Sequence, residues 1–418
     1  MTESTAPSDG VRPWPVLRAF SGWRLADLGP DLAAGLTLAA IAIPGQMATA
    51  RLGGFPPLLG FTVFIAGTLG FAIFGSSRLL SAGADSTITP IFAGSLALLA
   101  TTGSSDYFGL AALLALMTGA LLVAGGIFRM GWVANLLSIP VMTGFLAGIS
   151  VHIAVSQLPS LLGLTVVPSE TIPRLIAAVG DLGHANWTAF ALGAGAIAVT
   201  FATEKIDGRI PGALIGVVGA TVATASLGLQ SRGVAVIGAV SGGPPMPSMP
   251  NVDFAELVRL LPLALIIAAV MMVQTAATTR AFPDGADAPD INRDFIGVGA
   301  GSLLAGLFGG FPVDASPPST GAVSGAGGRS QLAALTAAVA VGALLVFGGG
   351  LLAHVPTAAL AGILFFLAQR IVRVDVIRSV LRQSVGEFVL ILATIAGIVA
   401  LPIELGVGLG ILLSLLHG

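Results

Sequence analysis

Apolar stretches approaching the ~20 residues that cross a bilayer core recur along this chain, with short polar breaks between them. The pattern predicts spans at Asp31–Ala50, Pro57–Phe74, Tyr107–Phe128, Asn135–Val155, Trp187–Ala202 and Pro211–Gly228. A polar, proline-rich interval runs from Val234 to Asn251. Then come Leu257–Thr279, Asn292–Phe308, Gln331–Phe347, Leu351–Ala368, Glu387–Ala400 and Leu405–Leu416. In lipid, backbone groups must pair within their own segment, so such runs predict helices.

Two further stretches break the pattern. Asp85-Ser86-Thr87-Ile88-Thr89-Pro90 leads into a brief apolar run ending near Ala100. Asp314-Ala315-Ser316-Pro317-Pro318-Ser319-Thr320-Gly321 leads into a short run of small residues ending near Gly328. Each is polar, then proline-bearing, then briefly helical, and Asp85 and Asp314 stand 229 positions apart. In transporters, short proline-interrupted segments in corresponding halves point to the solute site. Counting both gives about fourteen membrane segments, seven and seven. A repeat with an odd number of spans enters the membrane upside down in its second copy. The count therefore predicts an all-α polytopic membrane protein of two inverted seven-segment repeats with two half-helices.

Charge sets the orientation. With both ends cytoplasmic, 14 of the 18 lysines and arginines fall inside, and only Arg51, Arg174, Arg232 and Arg259 fall outside. That is the sense of the positive-inside rule. Arg370, Arg373, Arg378 and Arg382 read as an inside-facing charge belt.

Composition excludes other classes. Charged residues make up 9% of the chain and hydrophobic residues 55%, whereas a soluble domain carries about 25% charged residues. The 57 glycines suit close helix contacts in lipid. A net charge of −2 provides no basic surface for nucleic acid. With no cysteine and four scattered histidines, His152, His184, His354 and His417, neither a metal site nor a cofactor is expected. His152 reads as a buried, hydrogen-bonded residue rather than a proton relay. Residues 1–29 carry Arg12, Arg18 and Arg24 among prolines and tryptophans. They lack the apolar core of a signal peptide and read as a cytoplasmic tail and interfacial segment.

Several motifs, in order, resemble the SulP family, also called solute carrier family 26. Asp31-Leu-Ala-Ala-Gly-Leu-Thr running into Ile43-Pro44-Gly45-Gln46-Met47-Ala48-Thr49-Ala50 is similar to its first helix. Gly144-Phe-Leu-Ala-Gly148 through Gln157-Leu-Pro-Ser-Leu-Leu-Gly163 is similar to the fifth. Ile210-Pro-Gly212 matches the start of the seventh, and Asp290-Ile-Asn-Arg-Asp294 before Gly297 the eighth-to-ninth connection. Gly310-Phe-Pro312 through Gly327-Gly-Arg-Ser-Gln331 is similar to the tenth. The resemblance implies a transport domain over 30–418. Its core would be about 30–130 with 257–348, and its gate about 131–256 with 349–418. It implies transport of sulfate, bicarbonate or dicarboxylates, often coupled to protons or sodium, with the core sliding against the gate. It also implies a multi-pass protein of the bacterial inner membrane, and it leaves a homodimer open. Members usually carry a soluble STAS domain after the last helix. Here the chain stops at His417-Gly418, so that domain is expected to be absent from this sequence, either because the protein lacks it or because the chain has been cut.

The chemistry of the half-helices fits an anion. A helix start leaves N–H groups unpaired and carries about half a positive charge. Two such starts facing each other form a pocket for negative charge. Ser86 and Thr87 on the first half, and Ser319 and Thr320 on the second, are the candidate ligands. Each of the four is also a candidate helix cap. Gln46 and Gln274 are expected to complete a polar lining, and Phe92 and Phe311 to supply apolar walls. Asp85 and Asp314 are the coupling candidates, because acids at membrane depth are costly and tend to serve function. The alternative is that each aspartate binds nearby amides and holds its loop. Many members carry arginine where Ser319 stands, an acid where Gln274 stands, and Gln or Glu where Gly45 stands. Attraction here then falls to helix dipoles and hydroxyls. Competing readings are a nucleobase carrier of the same architecture and an anion channel or non-transporting membrane motor. An enzyme finds no nucleophile–base pair, metal cluster or phosphate loop.

Overall fold

The computed structural model describes residues 16–135, 139–164, 171–206, 211–238, 254–283, 290–372 and 374–401. The first half of the chain forms α1 (Leu28–Leu52), α2 (Leu59–Phe74), β1 (Ala82–Gly83), α3 (Thr89–Ala97), α4 (Ser105–Ile127), α5 (Ile139–Leu162), α6 (Thr171–Gly180), α7 (Trp187–Ile206) and α8 (Gly212–Ser226). The second half forms α9 (Phe254–Ala281), α10 (Ile291–Leu307), β2 (Asp314–Ala315), α11 (Pro317–Gly325), α12 (Leu332–Phe347), α13 (Gly349–Leu352), α14 (Thr357–Ile371), α15 (Val374–Gln383) and α16 (Val385–Ala400). The expected span Leu405–Leu416 lies outside the described residues, as do residues 1–15 of the tail.

Each other expected span holds a helix, and Leu351–Ala368 is interrupted between α13, ending at Leu352, and α14, starting at Thr357. Among the described residues, five helices are long and apolar enough to cross a membrane by themselves, running from Leu25–Leu52 to Ala255–Ala281. The two broken segments are half-helices of 9 residues each, about 13 Å at 1.5 Å per residue, under half a bilayer core. Prolines sit in the first turn of both, where a missing N–H costs no helical bond.

Packing partners exchange between the halves as an inverted repeat requires. Helix α1 lies against α12, and α9 against α4; α5 meets α14 directly; α7 packs on α14 as α16 packs on α5. The tightest meeting is that of α10 with α2 and α4. Here glycine is obligatory: a Cβ on Gly119 would stand 2.8 Å from the Gly299 carbonyl oxygen. Lipid gives no hydrophobic drive for helix association, so contact must come from this close approach. It presses the framework of α2, α4 and α10 around the strand pair, with Phe61, Phe64, Phe71 and Phe295 fully buried.

Two helices differ in kind from the expected spans. Helix α6 is amphipathic and shows Ile172, Leu175, Ile176 and Val179 outward. Helix α15 is also amphipathic. Residues 16–27 fold back onto the protein rather than trailing from it: Ala19 is buried and Arg18 pairs with Asp290 at 3.0 Å.

Candidate functional site

The half-helices spring from one antiparallel ribbon. Ala82 faces Ala315, and Gly83 faces Asp314. The Ser316 amide donates to the Ser81 carbonyl at 2.8 Å, which extends the pairing. Because the strands run antiparallel, α3 and α11 leave the ribbon in opposite senses, and each turns its N-terminal end back toward the crossing. All eight expected ligands and walls are buried there.

The two glutamines hold the arms of the ribbon. The Ala84 amide donates to Gln46 Oε1 at 2.8 Å, and Gln46 Nε2 donates to the Ala84 carbonyl at 3.2 Å. Gln274 Nε2 donates to the Ala315 carbonyl at 2.9 Å. Both amides therefore spend themselves first on backbone groups that would otherwise be orphaned in a buried place.

The helix starts are not alike. At α3, Asp85 Oδ1 accepts the Thr87 amide at 2.8 Å. Its carbonyl accepts the Thr89 hydroxyl at 2.7 Å. A resident carboxylate thus already sits on the positive end of α3. At α11, Pro317 and Pro318 have no N–H to offer. The Thr320 amide goes to the Ser316 carbonyl at 2.9 Å. Its hydroxyl donates to the same carbonyl at 2.8 Å and accepts the Ser81 amide at 3.0 Å. Ser316 Oγ donates to Ser319 Oγ at 3.0 Å. Thr320 is thus a cross-tie between the arms, while the Ser319 hydroxyl bonds only within its own turn.

Asp314 Oδ1 accepts the Ala315 amide at 2.7 Å, while its Oδ2 is buried without a partner. Ser81 Oγ, in the residue just before β1, and Thr275 Oγ1, in the residue after Gln274 on α9, are also buried without a partner. On the side of the α1 C-terminus the site is walled by aromatic rings. Phe311 stacks on Phe55 at 4.6 Å and lies 5.7 Å from Phe92.

A scan for known families matches the sulfate permease family over residues 28–394, nearly all of the described helices and the whole ribbon. The chain belongs to the sulfate permease family. A probable sulfate transporter of Mycobacterium tuberculosis is 35% identical over 388 residues, covering 93% of this chain and 69% of the relative. A putative sulfate transporter of Bacillus subtilis is 29% identical, covering 94% and 74%. Among solved structures, the murine solute carrier 26 family member A9 anion transporter in its inward-facing state superposes with a TM-score of 0.88 at 22% identity, over 100% of this chain and 73% of that one. The transmembrane domain of a cyanobacterial bicarbonate transporter, BicA, gives 0.79 at 21% identity, over 94% and 98%. These likenesses establish the sulfate permease membrane fold, and the named members are transporters rather than enzymes.

Two carboxylates in the sulfate permease frame escaped the sequence reading, although both lie in quoted motifs. Asp31 accepts the Arg329 amide at 2.7 Å, the Ser330 amide at 3.1 Å and the Ser330 hydroxyl at 2.5 Å. Asp294 accepts the Ser76 amide and hydroxyl, each at 2.8 Å, and the Thr279 hydroxyl at 2.8 Å. Both are fully buried, and between them they anchor the chain entering β1 and the chain leaving α11. At the aqueous rim the Arg329 guanidinium donates to Asp27 at 2.6 Å. That bond, helped by the Arg24 amide, holds the Asp27 carboxyl below its ordinary range. Phe55 and Tyr107 were missed as wall residues; the Tyr107 hydroxyl donates to the Gly53 carbonyl at 2.6 Å. His152 is buried against Thr171, Nδ1 to Oγ1 2.7 Å.

Proposed function

We propose that this protein is a secondary active transporter of small anions, of the sulfate, bicarbonate or dicarboxylate class. One observation carries the proposal: two nine-residue half-helices rise from a single ribbon and turn their N-termini toward one buried place. Preorganised N–H groups and hydroxyls there hold negative charge without a resident cation. The mycobacterial relative's name and the BicA match favour sulfate and bicarbonate among the candidates. Ser319 contributes its amide and hydroxyl, and Ser86 approaches from the α3 side. Gln46, Gln274 and Thr320 keep the arms in place, and Phe92 and Phe311 exclude water.

Coupling to a proton or sodium ion falls to the Asp314 side of the crossing. A buried carboxylate oxygen lacking a donor is what a small cation would meet. Asp85, already committed to the α3 start, serves that helix. The division into a core, 30–130 with 257–348, and a gate, 131–256 with 349–418, finds support in the packing of α1–α4 with α9–α12 and of α5 and α7 with α14 and α16. Alternating access then follows from the core sliding past the gate, with the protein in the bacterial inner membrane and both ends cytoplasmic. Membership of the sulfate permease family leaves the nucleobase reading without support.

Uptake of labelled sulfate, bicarbonate and fumarate into proteoliposomes, with and without pH and sodium gradients, tests the proposal. Saturable uptake of at least one anion that rises with a gradient is the expected result. Currents that never saturate would instead identify a channel.

A further inference from the structure

The linkers between the fifth and sixth spans and between the twelfth and thirteenth correspond in the two repeats, and each holds an amphipathic helix, α6 and α15. Their exposed faces differ. Around α6 the outward residues are apolar, Ile172, Leu175, Ile176 and Val179. Around α15, at about 100° per residue, Val374, Val376, Ile377, Val380 and Leu381 fall on one side and Asp375, Arg378, Ser379, Arg382 and Gln383 on the other. Val380 is buried against the protein, whereas Val374 and Leu381 are 45% and 47% exposed. The apolar arc is thus split. One flank packs on α5 and α16, and the other stands open beside Arg378 and Arg382.

The same end of the protein carries a cavity of about 420 Å³ between the last turns of α7 and α14, lined by Phe201, Glu204, Lys205, Phe366, Gln369 and Arg370. Phe201 meets Phe366 edge-on at 4.8 Å, and the Arg370 guanidinium lies 5.5 Å from the centre of the Phe366 ring. Arg370 also pairs with Glu204. Aromatic rings below and polar heads above are the layering of a membrane interface. Helix α14 ends at Ile371 and α15 begins at Val374, so the cavity at the end of α14 and the first turn of α15 lie at the same end of the protein. Across both, Lys205, Arg370, Arg378 and Arg382 outnumber Glu204 and Asp375.

We propose that α15 and the adjoining α7–α14 cavity form a binding site for an anionic phospholipid of the cytoplasmic leaflet. Leu381 and Val374 lie among its acyl chains, and Arg378, Arg382 and Lys205 hold its phosphate. Charge complementarity selects this occupant: a basic flank beside an open apolar strip matches an anionic lipid and gives a zwitterionic one no advantage. Helix α6, whose outward face is apolar and which carries a single arginine, Arg174, is the internal comparison. The assignment to the cytoplasmic leaflet rests on the orientation proposed above; the lipid class does not.

The test is native mass spectrometry of the full chain purified with mixed phosphatidylglycerol and phosphatidylcholine. Phosphatidylglycerol is expected to be retained in preference. The double variant Arg378→Gln/Arg382→Gln should reduce its retention at least fivefold, and Arg378→Lys/Arg382→Lys should restore most of it. A matched thermal melt shows that each variant is folded. Equal retention of the two lipids, unchanged retention in the double variant, or displacement by millimolar glycerol phosphate would each overturn the site. Sidedness is read separately. The chain has no cysteine, so Ser379→Cys can be labelled with an impermeant maleimide. Labelling only from the outside would overturn the orientation, while the retention data would still decide the lipid.

Discussion

The two half-helices correspond in the inverted repeat, and they have been put to different uses. Helix α3 is approached by its own chain: the Asp85 carboxylate takes the Thr87 amide in the turn just before it, and Gln46 clamps the strand behind it with both ends of its side chain. Helix α11 begins with two prolines, is clamped by a single donor from Gln274, and keeps a partnerless carboxylate oxygen beside it. An inverted repeat supplies two equivalent dipoles. In the function proposed above, a resident carboxylate beside one leaves the other for the solute. A site of two fully open positive ends would bind tightly and release slowly. One closed arm and one open arm provide a fixed wall and a working surface.

The clamps should show this difference most strongly. Gln46→Ala leaves the amide and carbonyl of Ala84 unpaired in a buried place, which costs about 2–4 kcal/mol. Gln274→Ala orphans one carbonyl and costs about half as much. Thermal melts and hydrogen exchange at Ala84–Thr89 read the two, and equal losses would remove the asymmetry. Ser319→Ala comes next. Losing a hydrogen bond to a charged ligand costs about 1.5–3 kcal/mol, so affinity for the transported anion should fall roughly tenfold or more. Ser86→Ala should weaken it less than about threefold, an arm already being capped. The reverse order in a binding titration would reassign the working surface to α3.

Coupling gives a smaller contrast. Asp314→Asn should flatten the dependence of uptake on a pH or sodium gradient, while Asp85→Asn leaves that dependence and mainly lowers stability. Flat profiles in neither variant would remove both aspartates from coupling. Smallest of all is the outer tie of the α11 arm. The Asp27 carboxyl is held low by Arg329, so its contribution is complete above the ordinary carboxylate value and is lost as pH falls through the lowered one. Asp27→Asn should therefore shift the melting temperature by no more than about 2 °C near neutrality, as an exposed ion pair does, and by nothing in strong acid. An equal shift at both pH values would show a packing role instead.

Much of this architecture was legible in the chain, because lipid imposes one rule on every segment. Runs such as Tyr107–Phe128 could only be helices, and the helix found there is Ser105–Ile127, capped by Ser104. The half-helices were legible for the opposite reason: Asp85 and Pro90, like Asp314 and Pro317, are too polar or too rigid for an unbroken span. Errors arose where hydropathy carries little information. The expected span Leu351–Ala368 starts late, at Thr357, because Pro356 sets the first turn, the Ala353 and Val355 carbonyls accept the Gly238 and Ile237 amides, and the Thr357 amide donates to the Ala235 carbonyl. Helices α6 and α15 escaped because each is only 10 residues long and interrupted by charge, Arg174 in one and Asp375, Arg378 and Arg382 in the other, so neither forms an apolar run of spanning length. At the site, residue types were readable but bonding was not. Nothing in the local sequence says that Thr320 reaches back to Ser81, or that Asp31 caps the chain at Ser330, because those partners are set by the fold's long-range closure.

The decisive measurement is an anomalous-scattering map of the protein soaked in selenate, an oxyanion of sulfate's shape and charge. The account predicts a peak at the crossing within hydrogen-bond distance of the Ser319 amide and hydroxyl, lost in Ser319→Ala. A peak only elsewhere, such as the rim pocket lined by Arg24, Arg78 and Arg329, with nothing beside α11, would contradict it.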